Sequence, residues 1–274
     1  MSLLEVDELR VAFPGRGWRA KPVEVLHGVS LDVAPGETLG LVGESGSGKT
    51  TIGRAVLGLV KPSGGDIRFD GTSIAGISGR ERRRLARDIQ VVFQDPYTSL
   101  NPSMTIGDIL AEPLVIQGAT TKDARSRVKT LLDQVGLPSD AVERLPREFS
   151  GGQRQRVAIA RALAPEPRLI VCDEPVSALD LSTQARVLDL FVEIQRATGV
   201  AYLFVSHDLS VVRHISHRVA VLYRGDLVET GPAEHVTSTP DHPYTQKLLL
   251  AAPVADPARQ RERRLERRRI MEAS

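Results

Sequence analysis

The sequence predicts an α/β protein in which an open sheet core is interrupted by a helical insertion and followed by a short C-terminal extension. Three observations predict it. Short apolar runs that read as strands occur in residues 4–93 and again in residues 168–223. Between them, residues 104–164 are strand-poor and helix-rich. A glycine-rich loop also joins one short buried strand to a helix, the junction around which layered α/β domains are built.

The elements follow in order. Leu4, Val6, Leu9, Val11 and Phe13 mark a first strand, and the Gly/Arg/Trp/Pro segment Pro14 to Pro22 reads as a loop. Val23 to Val33 alternates as a second strand, Pro35-Gly36-Glu37 turns, and Thr38 to Val42 is a short buried strand. After the glycine loop a helix is expected over Lys49 to Leu59. Gly65 to Gly71 alternates and ends in Asp-Gly, a strand with a tight turn, and Ile89 to Phe93 is another strand. In the insertion, Thr120 with Asp123 and, separately, Ser150 give helix starts. Strands resume at Arg168 to Cys172, Ala201 to Val205 and Arg218 to Tyr223, and Arg224-Gly225-Asp226 suggests a hairpin. No internal repeat is present. His242 to Ala252 reads as a small ordered motif, and residues 255–274 as a loose end.

Composition narrows the class. The 274 residues suffice for one large domain, or for one domain with a smaller lobe and a tail. Apolar residues at 41% and charged residues at 26% are ordinary for a soluble globular protein. With 36 Lys+Arg against 34 Asp+Glu the net charge is +2, which gives no overall electrostatic case for nucleic acid. Five arginines in Arg80 to Arg87 and seven in Arg259 to Arg269 read first as a solvated helix face or loose tail, and second as contacts to acidic lipid or a partner. The single cysteine, Cys172, sits in an apolar run and reads as a buried small hydrophobe in a reducing, intracellular setting. Met1 to Val6 carries acid early and is not the pattern of a signal peptide. No stretch approaches the ~20 apolar residues of a membrane span, so action at a membrane would be that of a peripheral subunit.

The chemistry concentrates in a few segments. Gly43-Glu44-Ser45-Gly46-Ser47-Gly48-Lys49-Thr50 fits G-x-x-x-x-G-K-[ST], with a strand before and a helix after. Its glycines let backbone N–H groups converge on an anion, and the helix N-terminus adds its positive dipole end. Lys49 is expected to reach the β- and γ-phosphates of ATP and Thr50 to ligate Mg²⁺. Leu169 to Glu174 is an apolar strand ending in two acids. Asp173 suits a Mg²⁺ ligand and Glu174 a base for the attacking water; both acids also suit a helix cap or solvent. His207 ends another strand and is a candidate γ-phosphate contact, although a lone histidine is more often structural. Gln94, after Val91-Val92-Phe93, is a candidate for contact with Mg²⁺ or the attacking water. Ser150-Gly151-Gly152-Gln153 is a second small-residue loop opening a helix. Two phosphate-binding loops in one chain make sense if the second serves another subunit's nucleotide.

Taken together these segments resemble the ATP-binding cassette of ABC transporters. Gly43 to Thr51 matches the family's P-loop, Gln94 its Q-loop, and Ser150 to Gln153 its signature. Asp173-Glu174 ends the Walker B run, Ser177-Ala178-Leu179-Asp180 matches the D-loop, and His207 the switch histidine. All six occur in the family's order, and the resemblance covers roughly residues 4–253. It implies a P-loop NTPase (RecA-like) core with an antiparallel β subdomain in residues 1–95 and 165–235. A helical signature subdomain would occupy 96–164 and an extension 236–274. Phe13 lies where the family places an aromatic that stacks on adenine, or else is simple core, and Asp180 joins the nucleotide-binding set. Val92 to Pro102, Asp173 to Asp180 and His242 to Gln246 resemble the oligopeptide/dipeptide importer branch. Phe149 departs from the Leu of many members but stays apolar.

The resemblance implies an ATPase at the cytoplasmic face of the inner membrane. Its expected partners are a second ATP-binding subunit, a paralogue or an identical chain, and two transmembrane permease subunits, with an extracytoplasmic binding protein acting indirectly. Membrane-subunit loops would meet the groove near Gln94 to Asn101. The rivals are the same role for nickel, glutathione, an opine-like or another small solute, a soluble cassette ATPase acting on DNA or ribosomes, and a nucleotide-binding module without hydrolysis. The second lacks support in any long coiled coil, zinc motif or second cassette, and the third is disfavoured by intact Glu174 and His207.

Overall fold

The structure, a computed structural model, describes residues 2–15, 17 and 21–251. Part of the loop Pro14 to Pro22, Ala252 and the run Arg259 to Arg269 lie outside the described residues.

The described strands form two sheets. β1 (Leu4–Phe13), β2 (Val23–Val33), β4 (Gly64–Phe69) and β5 (Thr72–Ser73) make an antiparallel sheet in the order β2-β1-β4-β5. The second sheet has the order β10-β9-β3-β8-β7-β6, from β10 (Asp226–Pro232), β9 (Arg218–Tyr223), β3 (Thr38–Val42), β8 (Ala201–Val205), β7 (Leu169–Asp173) and β6 (Ile89–Val92). Every pair in it is parallel except the β9–β10 hairpin. That hairpin turns on Arg224 and Gly225, both in the left-handed region at φ 50° and 89°, which is the backbone a two-residue turn between right-twisted strands requires.

The parallel sheet is covered on both faces, which is why its strands read as unbroken apolar runs. Along β8, Tyr202 and Phe204 enter one core with the helices of the insertion, whereas Ala201, Leu203 and Val205 enter another with the antiparallel sheet. Phe191 anchors the first core by edge-to-face contacts with Tyr202 and Phe204 at 5.4 and 5.6 Å, an arrangement favoured by the ring quadrupoles. Cys172 is buried in the same core.

The helices are α1 (Lys49–Val56), α2 (Gly79–Leu85), α3 (Pro96–Ser99), α4 (Ile106–Ile116), α5 (Thr121–Gln134), α6 (Gly151–Leu163), α7 (Leu181–Thr198), α8 (Leu209–Ile215), α9 (Ala233–Ser238) and α10 (Pro243–Ala251). Their starts follow local chemistry: Thr105, Thr120, Ser150 and Asp180 each accept a backbone N–H from the first turn. α1 ends at Val56 rather than at Leu59, because Gly58 turns left-handed at φ 71° and the Leu59 and Val60 N–H groups both fold back onto Arg54 O. The arginine-rich α2 is largely solvated; Leu85 packs against the core, and the Arg82 guanidinium donates to Val56 O and Ile74 O, which ties α2 to α1.

Candidate functional site

The parallel register brings four strand ends to one edge of the sheet. Leu41 and Asp173 both stand level with Val205, and Val92 with Cys172. The segments that leave these ends carry the glycine loop after β3, Gln94 after β6, Asp173-Glu174 at β7 and His207 after β8. Sites of open parallel sheets form at such carboxyl edges.

The glycine loop is shaped by close approaches. Gly43 has φ 152°, and a Cβ there would lie 2.1 Å from Leu222 O on β9. Gly48 has φ 107°, and its Cβ would lie 2.6 Å from Leu26 Cδ2 on β2. The Gly225 N–H donates to Ser47 O at 3.0 Å, so the β9–β10 turn also braces the loop. α1 then starts at Lys49 with no side-chain cap and no acidic residue in its first turn. Its N–H groups and dipole end are thus left for an external anion.

Lys49 is buried, and its ammonium donates to Gly43 O and Glu44 O at 2.8 Å each. Burial lowers its pKa, with Glu174, Asp173 and Glu44 opposing that shift. Thr50 Oγ1 donates to Asp173 Oδ1 at 2.9 Å. Burial raises the Asp173 pKa, against the Thr50 hydrogen bond and the nearby Arg54. Burial disfavours the charged form of both groups, and an incoming ion of opposite sign would favour it. Glu174 takes a left-handed backbone at φ 49°, and its N–H closes onto Val205 O. Its Oε2 meets His207 Nδ1 at 3.0 Å, which joins the β7 and β8 ends in one polar pair. Gln94 is exposed and shares its opening with Arg54, Arg161 and Asp173. Phe13, 40% exposed, ends β1 beyond Val11, the partner of the Leu26 that touches the loop.

Ser150 to Gln153 form a reciprocal cap. Ser150 Oγ accepts Gln153 N–H at 3.3 Å, and Gln153 Oε1 accepts Ser150 N–H at 2.9 Å. The Ser150 hydroxyl keeps its own proton to donate. A Cβ on Gly152 would lie 2.3 Å from Thr183 Cγ2, so α6 rests directly on the start of α7; one on Gly151 would meet only ordinary contacts, Leu179 and Tyr97 at 3.7 Å. Asp180 caps α7, accepting from Ser182 Oγ at 2.7 Å and Thr183 N–H at 3.0 Å. These bonds hold its carboxyl well below the usual carboxylate range. Arg154 stacks on Tyr97 at 4.1 Å and Arg161 donates to Ser99 O, which ties the segment after Gln94 to α6.

Sequence reasoning missed the tyrosines behind the loop. Glu44 N–H donates to Tyr244 Oη at 2.9 Å across 200 residues of chain, and the Tyr244 ring lies on Tyr223 at 4.1 Å. His242-Pro243-Tyr244 was visible as a motif, but nothing local in it points to residue 44.

Comparison with known proteins shows the family and the fold of the chain. Residues 26–177 match the family described as ABC transporter, and residues 228–273 match the oligopeptide/dipeptide transporter, C-terminal region. Similar curated relatives are the glutathione import ATP-binding protein GsiA of Shigella boydii serotype 4 and that of Escherichia coli K12. Each is 52% identical over 96% of this chain and 43% of its own length. The chain therefore spans less than half the length of these relatives. Among solved structures, cbiO1 from Clostridium perfringens, part of the ABC transporter complex cbiONQ, aligns with TM-score 0.77 at 28% identity, covering 87% of this chain and 91% of that one. A dimeric ATP-binding cassette in a post-hydrolysis state, bound to ADP and Pi, aligns with TM-score 0.75 at 29% identity, covering 84% and 98%.

Proposed function

The chain belongs to the ABC transporter family of ATP-binding ATPases, and from that premise we propose that it powers import of short peptides. The ATPase half of this reading rests on one observation: the loop Gly43 to Thr51, the Thr50–Asp173 pair and the Glu174–His207 pair all stand on one sheet edge. The residues fit Mg-ATP. The α1 N-terminus has no cap of its own, and a desolvated ammonium and a desolvated carboxylate flank it.

In this reading the loop Gly43 to Thr51 wraps the phosphates. The N–H groups of Ser45, Gly46, Ser47, Gly48, Lys49, Thr50 and Thr51 form the cradle, the Glu44 N–H stays on Tyr244, and Lys49 moves from the carbonyls of Gly43 and Glu44 to the β- and γ-phosphates. Thr50 and Asp173 hold Mg²⁺, with Gln94 at the rim. Mg²⁺, when bound, neutralises charge on the phosphate oxygens. Glu174 accepts the proton of the attacking water, and His207 fixes the Glu174 carboxylate and faces the γ-phosphate. Phe13 stacks on adenine. Ser150, Gly151, Gly152 and Gln153, with Asp180, complete the site of a second ATP-binding subunit in a head-to-tail pair. A free Ser150 hydroxyl proton at a helix N-terminus supports that role, as does the dimeric neighbour holding ADP and Pi.

The importer half rests on the match of residues 228–273 to the oligopeptide/dipeptide transporter C-terminal region. Two transmembrane permease subunits and an extracytoplasmic binding protein complete the proposed assembly, with this chain peripheral at the cytoplasmic face. Among the described residues, no helix is long and apolar enough to cross a membrane. The names of the relatives favour glutathione, itself a tripeptide, as a second reading of the cargo. Deleting the gene in its host and following uptake of labelled di- and oligopeptides and of glutathione separates the two. Loss of peptide uptake is expected. Loss of glutathione uptake alone selects the second reading, and unchanged uptake of both sinks the importer assignment.

A further inference from the structure

The structure gives the C-terminal extension a contact with the phosphate loop that the proposed function does not use. The Gly43–Glu44 peptide is one rigid plane. At one end of it, Gly43 O accepts from the Lys49 ammonium at 2.8 Å; at the other, Glu44 N–H donates to Tyr244 Oη at 2.9 Å. On its Gly43 side no Cβ restrains this plane, and Gly43 sits at φ 152°, a conformation that side chains rarely adopt. The two hydrogen bonds therefore help to set its orientation.

The two restraints differ in what phosphate does to them. If Lys49 turns to the β- and γ-phosphates, it gives up Gly43 O and Glu44 O together. The tyrosine bond has no such competitor, because it reaches the loop from α10. Tyr244 is itself well fixed. Its ring lies against Tyr223, next in chain to the Leu222 whose carbonyl crowds Gly43. Its helix is docked by bonds independent of the hydroxyl: Asp241 and His242 N–H donate to Glu229, and Gln246 Nε2 donates to Pro240 O. Burial raises the phenol's pKa, so the acceptor offered to Glu44 is neutral beside a site for polyphosphate.

We propose that Tyr244 is a positioning residue for nucleotide binding: its hydroxyl holds the Gly43–Glu44 peptide in place while Lys49 engages phosphate. The proposal rests on the Mg-ATP reading of the loop and assigns the extension a role at the nucleotide site.

The test is Tyr244→Phe in the full chain, which removes one oxygen and keeps the ring. Three quantities are compared with the parent: nucleotide Kd with KM and kcat for ATP, hydrogen exchange at the Glu44 amide, and Tm without nucleotide. The expected result is a Kd and KM raised about three- to tenfold, the range of one net hydrogen bond. Glu44 exchange should quicken, while saturated kcat and Tm stay near the parent. Tyr223→Phe, which keeps the stack and the Tyr244 hydroxyl, should leave KM unchanged. An unchanged KM in Tyr244→Phe overturns the proposal, as does an equal rise in Tyr223→Phe or a fall in Tm and kcat at constant KM. Lys49→Ala measured alongside separates the two layers. If it loses ATP binding while Tyr244→Phe does not, the loop reading stands and the tyrosine proposal falls. If neither variant changes binding, the loop reading falls as well.

Discussion

The N-termini of α1 and α6 both open behind small-residue loops, yet they are finished in opposite ways. α1 begins at Gly48 with no side-chain cap, and the chain crowds its loop from β2, β9, the β9–β10 turn and α10. α6 begins at Ser150 with a reciprocal cap, and its close neighbours are Thr183, Leu179 and Tyr97. Even the glycines differ in kind. Gly43 is required by backbone: any Cβ would meet a carbonyl at 2.1 Å and φ is 152°. Gly152 is required by packing alone, since its obstacle is one methyl group of Thr183. An N-terminus left open inside a rigid frame suits an anion it must hold through chemistry. One capped and presented outward suits an anion it meets only when another surface arrives.

The largest expected effect tests the first half of that contrast. Glu174→Gln should keep ATP binding and lower turnover by about 10²–10⁴, the usual cost of losing a general base. A coupled-enzyme assay beside a nucleotide titration measures both. Turnover near the parent's would mean the base lies elsewhere, with His207 the next candidate. Gly151→Asp tests the second half. Its Cβ meets only 3.7 Å contacts and a carboxylate suits a helix N-terminus, so the fold should keep its stability. Against the partner's γ-phosphate, however, the like charge should cost several kcal/mol and block ATP-driven dimerisation, while this chain still binds nucleotide. If the variant, still folded, loses nucleotide binding as an isolated chain, the second loop acts in cis and the head-to-tail pairing is wrong. The smallest effect separates the glycines. Gly152→Ala should lower stability by about 1–3 kcal/mol through overpacking, and adding Thr183→Ser, which deletes the obstructing methyl, should recover most of it. Equal melting of the parent and Gly152→Ala would remove the packing account.

What the sequence made legible was what local rules encode. Thr38 to Val42 reads as a strand because five residues carry their own burial pattern, and Thr120 and Ser150 read as helix starts because a cap and its partner lie three residues apart. The candidate residues Gln94, Asp173, Glu174 and His207 share a sheet edge because each ends or follows a strand, a relation that apolar periodicity can report. Contacts set by strand order had no such signal. Nothing near Tyr244 names Glu44, nothing near Gly152 names Thr183, and the Arg82 bonds to two carbonyls were hidden in a run of similar arginines. Helix α1 fell short of its expected end because Gly58 stops a helix through the two N–H groups that return to Arg54 O, which apolar periodicity does not record.

Strand order also sets a schedule for synthesis. β3, the strand that leads into the phosphate loop, lies between β8 and β9, so both its hydrogen-bonding partners are made more than 150 residues later. At typical elongation rates that is a wait on the order of ten seconds. Throughout it, β3 presents two unpaired edges and an apolar surface. Contacts of such sequence separation are the slow ones to close, so the nucleotide site becomes whole only after β8 and β9 have followed β3 out of the ribosome.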